Sequence, residues 1–541
     1  MLEDENLDWV GLEPGSEIEL PKLGLTVAVD WSGAPILTPE VLRHSLLREN
    51  FFPRLNGRKY EIPPCFSSND FTPKIAEKFP DWRLLPKERK AIGFELMPFR
   101  QTRPDGFLRK SAIPHPWPHA QITKLFSENW HISEKLHQNE VSAIRPMVYS
   151  DGRIFSSSSY DEPQTVFERW WEGARWGSRF LLKLDIKSFF PSIYTHSLCW
   201  PTYTKRGSKI MSRSAGGQSG AEEFKSDFCN LLDMALMRQN QNQTLGIPVG
   251  PGTSNLVAEF LLLEVDKRIK QDFGVRFLRF VDDYYFAAAS EEDAEQFRML
   301  LEEELEKLEL SLNPLKTSVT RVDRELRDSW LNDLRLLLAT GIRSKLQLIS
   351  YWDKVLRIHE NSRNGAALRY GMRALLDQAQ SAGLLPDAVG ILVHQLATVP
   401  FLSPLLGRAI ELGHRFSIEE TDQLAAILKT KGKSLYTDSL TWIVFALLQA
   451  GVRTADLMRV LVDIEDPLVL SLAYGFLPDP DGDLKDWLEA SRGGDALATD
   501  KWLLEYQMFR NGDGFPDGDG VFTILDEHGV DFVDRRTLDP F

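Results

Sequence analysis

The sequence predicts an α+β body followed by an all-α region. Three observations carry that reading. Short apolar runs of β type, FLLKLDI at 180–186, FLRFVDDYYFAAA at 277–289 and LSLNPLKTSVTRV at 310–322, alternate with segments of helical spacing. After about residue 330 the texture changes to Leu- and Ala-rich helices. Prolines recur from Pro14 to Pro104 and interrupt any long helix in the first 110 residues. The expected organisation is an N-terminal extension of short elements over 1–110, a mixed body over 111–325 and a helical region over 326–541 that ends in an acidic tail.

Taken in order, IPHPWPHAQITKLFSENW at 113–130 is aromatic and carries His115 and His119, whose spacing suits a metal only on a helix. Pro116 and Pro118 are expected to forbid that helix, so no metal is assigned there. The Ser-Asp-Gly turn at 150–152 predicts a hairpin, and 202–220 is polar enough to predict a loop. Residues 221–239, 256–270 and 291–308 have helical spacing, the last with Phe297, Leu300, Leu301, Leu305 and Leu308 on one face. Further on, SIEE from Ser417 is a capping box and Thr454 opens another helix. Helix pairs recur at roughly 35 to 40 residues, which predicts a HEAT-like array, with a plain bundle as the alternative. PDPDGD at 478–483 and NGDGFPDGDG at 511–520 read as solvated turns; the second lacks the glutamate a calcium loop needs.

Composition excludes several classes. With 541 residues and 43% hydrophobic content the chain has ample core for two to four domains and is not disordered. Cys65, Cys199 and Cys229 lie too far apart for a disulfide framework or zinc knuckle, which suits a reducing compartment. The acidic opening is no secretory signal, and the most apolar run, 440–450, is too short to span a bilayer, so a cytoplasmic protein without a membrane partner is expected. The net charge of −15 seems to oppose a nucleic-acid partner. Most of it falls in 461–541, with 6 Lys plus Arg against 19 Asp plus Glu, whereas 331–460 has 15 against 11. The body is therefore close to neutral, compatible with a narrow channel for short strands rather than a broad duplex-binding surface.

Three acids have neighbours unsuited to surface residues. Asp185 follows an apolar strand and precedes aromatics, while Asp282 and Asp283 sit between FLRF-V and YYF. Two strands that bring carboxylates together can hold a pair of Mg²⁺ ions for nucleotidyl transfer, although an Asp-Asp pair alone is equally a hairpin turn. The order of elements decides between the two readings. An acid on a strand, a helix, a Gly-Pro-Gly turn into a helix, an Asp-Asp hairpin, a helix and an Asn-x-x-Lys strand follow one another as in a polymerase palm.

On these residues the chain resembles reverse transcriptases. LDIKSFFPSIY is similar to their motif A, GIPVGPGTSNLVAE to motif B, FVDDYYF to motif C and LSLNPLKT to motif D. The wording FFPSIYTHSL, with GPGTSN followed by AE, is most similar to the bacterial defence-associated enzymes of the abortive-infection and unknown groups. The resemblance implies a right-hand palm with fingers over about 110–325 and an α-repeat domain after it.

It further implies a Mg²⁺-dependent, or Mn²⁺-dependent, DNA polymerase acting on dNTPs. Asp185 and Asp282 would bridge the metals, with Asp283 in support and the Ile186 carbonyl as a further ligand. Phe190 stands where a steric gate against ribose 2′-hydroxyls is expected, with core packing as its alternative. Gly250, Gly252 and Thr253 are placed near the nucleotide, Lys316 as proton donor to pyrophosphate, and Arg145 or Arg153 on the triphosphate. Val249 departs from the glutamine common in template-dependent relatives, which puts template copying in doubt. Some members of the defence group synthesise single-stranded DNA without a template from a protein tyrosine. Tyr60, Tyr351, Tyr370, Tyr436, Tyr474 and Tyr506 are available, and none is marked as the primer. The implied role is antiphage defence by abortive infection, with a homo-oligomer expected. A retron-like enzyme copying a dedicated RNA template and an idle palm serving as a nucleic-acid scaffold are the alternatives.

Overall fold

The computed structural model describes residues 12–31, 33–53, 61–82, 92–103, 106–155, 162–213, 220–322, 329–339, 341–362, 365–491, 499–518 and 520–538. Strands β1 (Glu17–Leu20) and β2 (Leu25–Ala28) form one hairpin, and β3 (Met97–Thr102) and β4 (Leu108–Ile113) another. The third sheet organises the body. It comprises β5 (Phe180–Asp185), β6 (Phe277–Phe280), β7 (Asp283–Ala288) and β8 (Ser318–Arg321), all antiparallel, in the order β6-β7-β5-β8.

Alternation along these strands separates two faces. Leu182, Leu184, Tyr284 and Phe286 point into a core shared with the helices Gly252–Phe273 and Glu291–Glu306. Phe286 stacks on Phe297 of the second helix at 4.2 Å between ring centroids. That helix is capped by the Ser290 side chain, which accepts from the Asp293 amide at 3.1 Å, and it buries Phe297, Leu301 and Leu305 as its spacing demands. The other parity, Lys183, Asp185, Asp283 and Tyr285, faces away from this core, while Phe280 at the end of β6 packs partly against it.

Several expectations give way to tertiary context. Pro116 and Pro118 do not prevent a helix: Pro116–Glu128 begins with Pro116, and both prolines fall in the first turn, where an amide hydrogen has no intrahelical acceptor. The predicted loop after 202 is helical at Trp200–Tyr203 and Lys205–Arg213, the rest of it up to 219 lying outside the described residues. The hairpin at 150–152 is a turn without named strands, held by Met147 N–H to Ile154 O at 2.7 Å and Tyr149 N–H to Arg153 O at 2.9 Å. The turns at 478–483 and 511–520 are helix starts. Asp479 accepts from the amides of Asp483 and Leu484, and Asp517 from those of Phe522 and Thr523, so these acids cap the helices Asp483–Ser491 and Val521–Glu527. The Ser417 capping box and the Thr454 cap are present as read.

From Ser329 to Glu527 the described chain is helical, and its core is not self-contained. Phe51, Phe52, Phe66 and Phe71 of the N-terminal segment pack with Trp502 and Phe532, while Leu20 to Leu46 belong to the sheet core. The first 110 residues thus supply both cores, and the acidic C-terminal stretch folds back on them through Asp534 N–H to Cys65 O at 2.7 Å and Ser67 N–H to Phe532 O at 3.1 Å.

A second tie joins β3 to the buried helix Thr437–Gln449, where Asp438 accepts from the Thr102 amide at 2.8 Å and the Thr102 hydroxyl at 3.1 Å. Burial raises the Asp438 pKa above its ordinary 3.8. The unfolded chain therefore releases this proton first. The resulting stability is present in full below pH 3.8 and is lost as pH rises through the folded value. Asp438→Asn is expected to cost about 1–3 kcal/mol near neutral pH through imperfect pairing with Thr102, and its difference from the parent is expected to vary with pH in that window. Urea midpoints of both proteins between pH 4 and 7 check this.

Candidate active site

Asp185 closes β5 directly opposite Asp283, the first residue of β7, so the pairing register alone puts two carboxylates side by side on the outward face. Asp282 precedes Asp283 in the two-residue turn from β6, whose ends pair as Phe280 with Asp283. The turn is bonded back to β5 by Ile186 N–H to Asp282 O at 3.0 Å. Val281, the other turn residue, has φ +54°, a strained conformation for a β-branched side chain.

The electrostatics follow from this crowding. Burial, then Asp283 and Asp185, push Asp282 up to about 6. Burial also raises Asp283, against the pull of Lys183, whose Nζ lies 3.7 Å from Asp283 Oδ1. That oxygen is buried and has no hydrogen-bond partner. Asp185, 3% exposed, is held by Lys316 Nζ at 2.7 Å and Asn313 Nδ2 at 3.1 Å, and its carbonyl accepts from the Asn313 amide at 2.7 Å. Asn313 and Lys316, which lie in the turn before β8 rather than on the strand expected there, therefore converge on one carboxylate. Among the described residues no group of three or more Asp, Glu, His or Cys side chains is gathered as a metal-holding cluster. A hard divalent cation fits the site by donor type, three carboxylates with one buried oxygen that accepts no hydrogen bond among the described residues, rather than by a closed coordination shell.

Beneath the turn lies a feature that the sequence reading passed over. Arg279 is fully buried and bonds Glu259 at 2.8 and 2.9 Å, Asp266 at 2.6 Å and the Val281 carbonyl at 3.0 Å. Tyr284 Oη and Asn139 Nδ2 complete Asp266 at 3.0 and 2.8 Å. Glu259 and Asp266 belong to the Gly252–Phe273 helix, so the network clamps that helix to the Asp282 turn. A lone arginine inside the apolar strand FLRF was the available signal.

The Gly-rich turn has an internal reason. A Cβ at Gly250, φ +132°, would stand 2.4 Å from Pro53 Cβ, and one at Gly252 would stand 2.6 Å from Asn50 Cβ. Gly252 N–H bonds Asn50 O at 2.7 Å, and the Val249 carbonyl accepts from the Ala112 amide at 3.0 Å. Thr253 is buried, its hydroxyl 3.3 Å from His119 Nδ1. These residues meet the N-terminal segment and the 116–128 helix rather than an open surface.

Phe190 is half-buried beside Phe189, and its carbonyl accepts from Ile247 N–H at 3.1 Å, linking the end of β5 to the Gly-rich turn. The two arginines differ. Arg153 is buried and paired with Asp151, whereas half-buried Arg145 makes no ion pair among the described residues. Of the tyrosines, Tyr351 and Tyr506 are buried, and Tyr506 Oη donates to Val530 O at 2.6 Å. Tyr474 bonds Asp513, Tyr370 and Tyr436 are half-buried, and Tyr60 lies outside the described residues.

Residues 135–332 match the family model of the reverse transcriptase (RNA-dependent DNA polymerase), a span that holds β5 to β8, all three aspartates, Asn313 and Lys316. The chain carries a reverse transcriptase domain. No match was found among curated proteins. Among solved structures the chain is similar to apo telomerase from Candida tropicalis, at 11% identity and a TM-score of 0.30, over 77% of this chain and 72% of that one. No helix among the described residues is long and apolar enough to cross a membrane. The matched span thus contains the sheet in which Asp185 faces Asp283.

Proposed function

We propose that this protein is a DNA polymerase of the reverse-transcriptase type that extends single strands from dNTPs, without copying a template and from a protein primer, in antiphage defence by abortive infection. The observation that carries the polymerase reading is the register of Asp185 against Asp283 with Asp282 in the adjoining turn. The defence role, the absence of a template and the protein primer rest on the wording of the motifs and on Val249.

Asp185, Asp282 and Asp283, with the Ile186 carbonyl, are the groups that would hold divalent metal. When bound there, Mg²⁺ or Mn²⁺ supplies activation of a 3′-hydroxyl and neutralises charge on the leaving pyrophosphate. The chain's own residues do the rest. The Lys316 ammonium, already beside Asp185, is the proton donor to pyrophosphate. Arg145 is the free guanidinium for the triphosphate, and Arg153 supports the turn instead. Phe190, between β5 and the Gly-rich turn, sets the space for the sugar edge. Gly250 and Thr253 act at one remove, by fixing the turn that Phe190 contacts.

The test is incubation of the purified chain with Mg²⁺ and labelled dNTPs or rNTPs, with and without RNA template, then a denaturing gel before and after protease. Template-free incorporation of dNTPs with protease-sensitive mobility is expected. A folded protein that incorporates nothing under any of these conditions would sink the reading. Phe190→Ala is expected to raise the rNTP-to-dNTP incorporation ratio on the order of tenfold or more, read in the same assay. An unchanged ratio would assign the ring to packing alone.

A further inference from the structure

We propose that the helix Glu162–Ala174 and the turn after it form a docking shelf for single-stranded nucleic acid on the catalytic face of the sheet, an inference that rests on the polymerase reading and names where its strand lies. Phe167 meets the Tyr285 ring edge-on at 5.2 Å, on the face that carries Asp185 and Asp283. Trp170 and Trp171 extend this aromatic surface, at 5.5 and 6.3 Å from Phe167, and Trp170 Nε1 donates to Val275 O at 3.2 Å, which holds the helix to the sheet edge. Lys183 joins the two regions, its Nζ 3.7 Å from Asp283 and 5.2 Å over the Tyr285 ring. Aromatic shelf and carboxylates are one continuous surface.

Cations suited to phosphates lie along the helix and the turn after it, with the exposed Glu172 among them. Arg169, Arg175 and Arg179 are exposed, and none forms an ion pair among the described residues, whereas Arg268, Arg276, Arg298, Arg408, Arg459 and Arg510 do. Arg175 lies 5.4 Å over the ring of Trp176, which is 78% exposed. An exposed indole backed by a guanidinium, between two further free arginines, offers a π face to a base and cations to its flanking phosphates. A tryptophan exposed to this degree contributes little to folding, so the fold does not account for it. A protein partner would want a broad apolar patch depleted of charge; here arginines alternate with the rings.

The test uses the full chain in EDTA with fluorescein-labelled dT12 and rU12, reading anisotropy, tryptophan quenching and sedimentation. Trp176→Ala is expected to weaken binding at least about fivefold and to lose part of the quenching. Arg169→Ala/Arg175→Ala/Arg179→Ala is expected to flatten the plot of log K against log salt by about 2, near 0.7 per lost phosphate contact. All four side chains are exposed, so both variants retain the fold. Affinities within twofold of the parent, or no binding by the parent, overturn the shelf. So does a Trp176→Ala change in oligomeric state at unaltered affinity, which would make the surface a protein interface. Because binding is measured without turnover, a parent that binds through the shelf yet incorporates no nucleotide leaves the shelf standing and removes the polymerase reading.

Discussion

Asp282→Asn is expected to lower nucleotide incorporation by about a thousandfold or more while leaving the protein at least as stable as the parent. The two effects have one cause. Asp282 is confined between burial and two like charges, Asp283 and Asp185, which push its carboxyl up to about 6. An isosteric neutral amide removes that repulsion, so the folded state gains. The same substitution removes an anionic ligand from the set proposed to hold divalent metal, and the chemistry fails. Incorporation rates and urea midpoints measured on the same preparation check it. Activity within tenfold of the parent would discard the assignment of Asp282, and a fall in stability would show that the carboxylate is structural. In Asp438→Asn, by contrast, stability falls, because there the carboxylate accepts bonds from Thr102 that an amide reproduces only in part.

Arg279→Met is expected to destabilise the protein by about 3–5 kcal/mol, enough to unfold a marginal domain. Methionine fills much of the volume but leaves Glu259 and Asp266 facing each other without a cation in a site that excludes water. It also frees the Val281 carbonyl, which Arg279 holds at 3.0 Å in a turn already strained at φ +54°. Incorporation should therefore fall under conditions where the variant is still folded. Because the penalty is that of stranded charge, Arg279→Met/Glu259→Gln/Asp266→Asn is expected to lose less than the sum of the separate variants, by about 1–3 kcal/mol of coupling. Denaturation midpoints of the single and combined variants measure that coupling; strict additivity would mean the network is not a unit.

The proposed catalytic machinery is unevenly legible in the primary sequence. Asp185, Asp282 and Asp283 stand out because acids beside apolar strands violate ordinary burial preference, and their spacing along the chain matches a strand and a hairpin. Asn313 was visible only as half of a pattern; that it and Lys316 meet on Asp185 needs the crossing of two segments 128 residues apart. The aromatic and arginine alternation of 167–183 was there to read, but without the sheet face nothing connects it with the acids. Pro116 and Pro118 were misread because a proline's effect depends on its place in a helix, and the start at Pro116 is set by packing of Trp117 and His119.

By itself the sequence determined the β runs at 180–186 and 277–289, the helix caps at Ser417 and Thr454, the buried stripe of the Glu291–Glu306 helix and which three acids stand beside apolar strands. These are properties of neighbours within one or two turns, where bond geometry and side-chain spacing leave few choices. The tertiary structure decided why Gly250 and Gly252 admit no side chain, and where the acidic end of the chain goes. Each of those answers depends on contact between residues a hundred or more apart. Only the approach of Asn50 and Pro53 makes a Cβ at the Gly-rich turn impossible, whereas the pairing of Arg153 with Asp151 is local, between residues two apart. Local energetics select elements, whereas the exclusion of water and the exclusion of overlap select which of them meet.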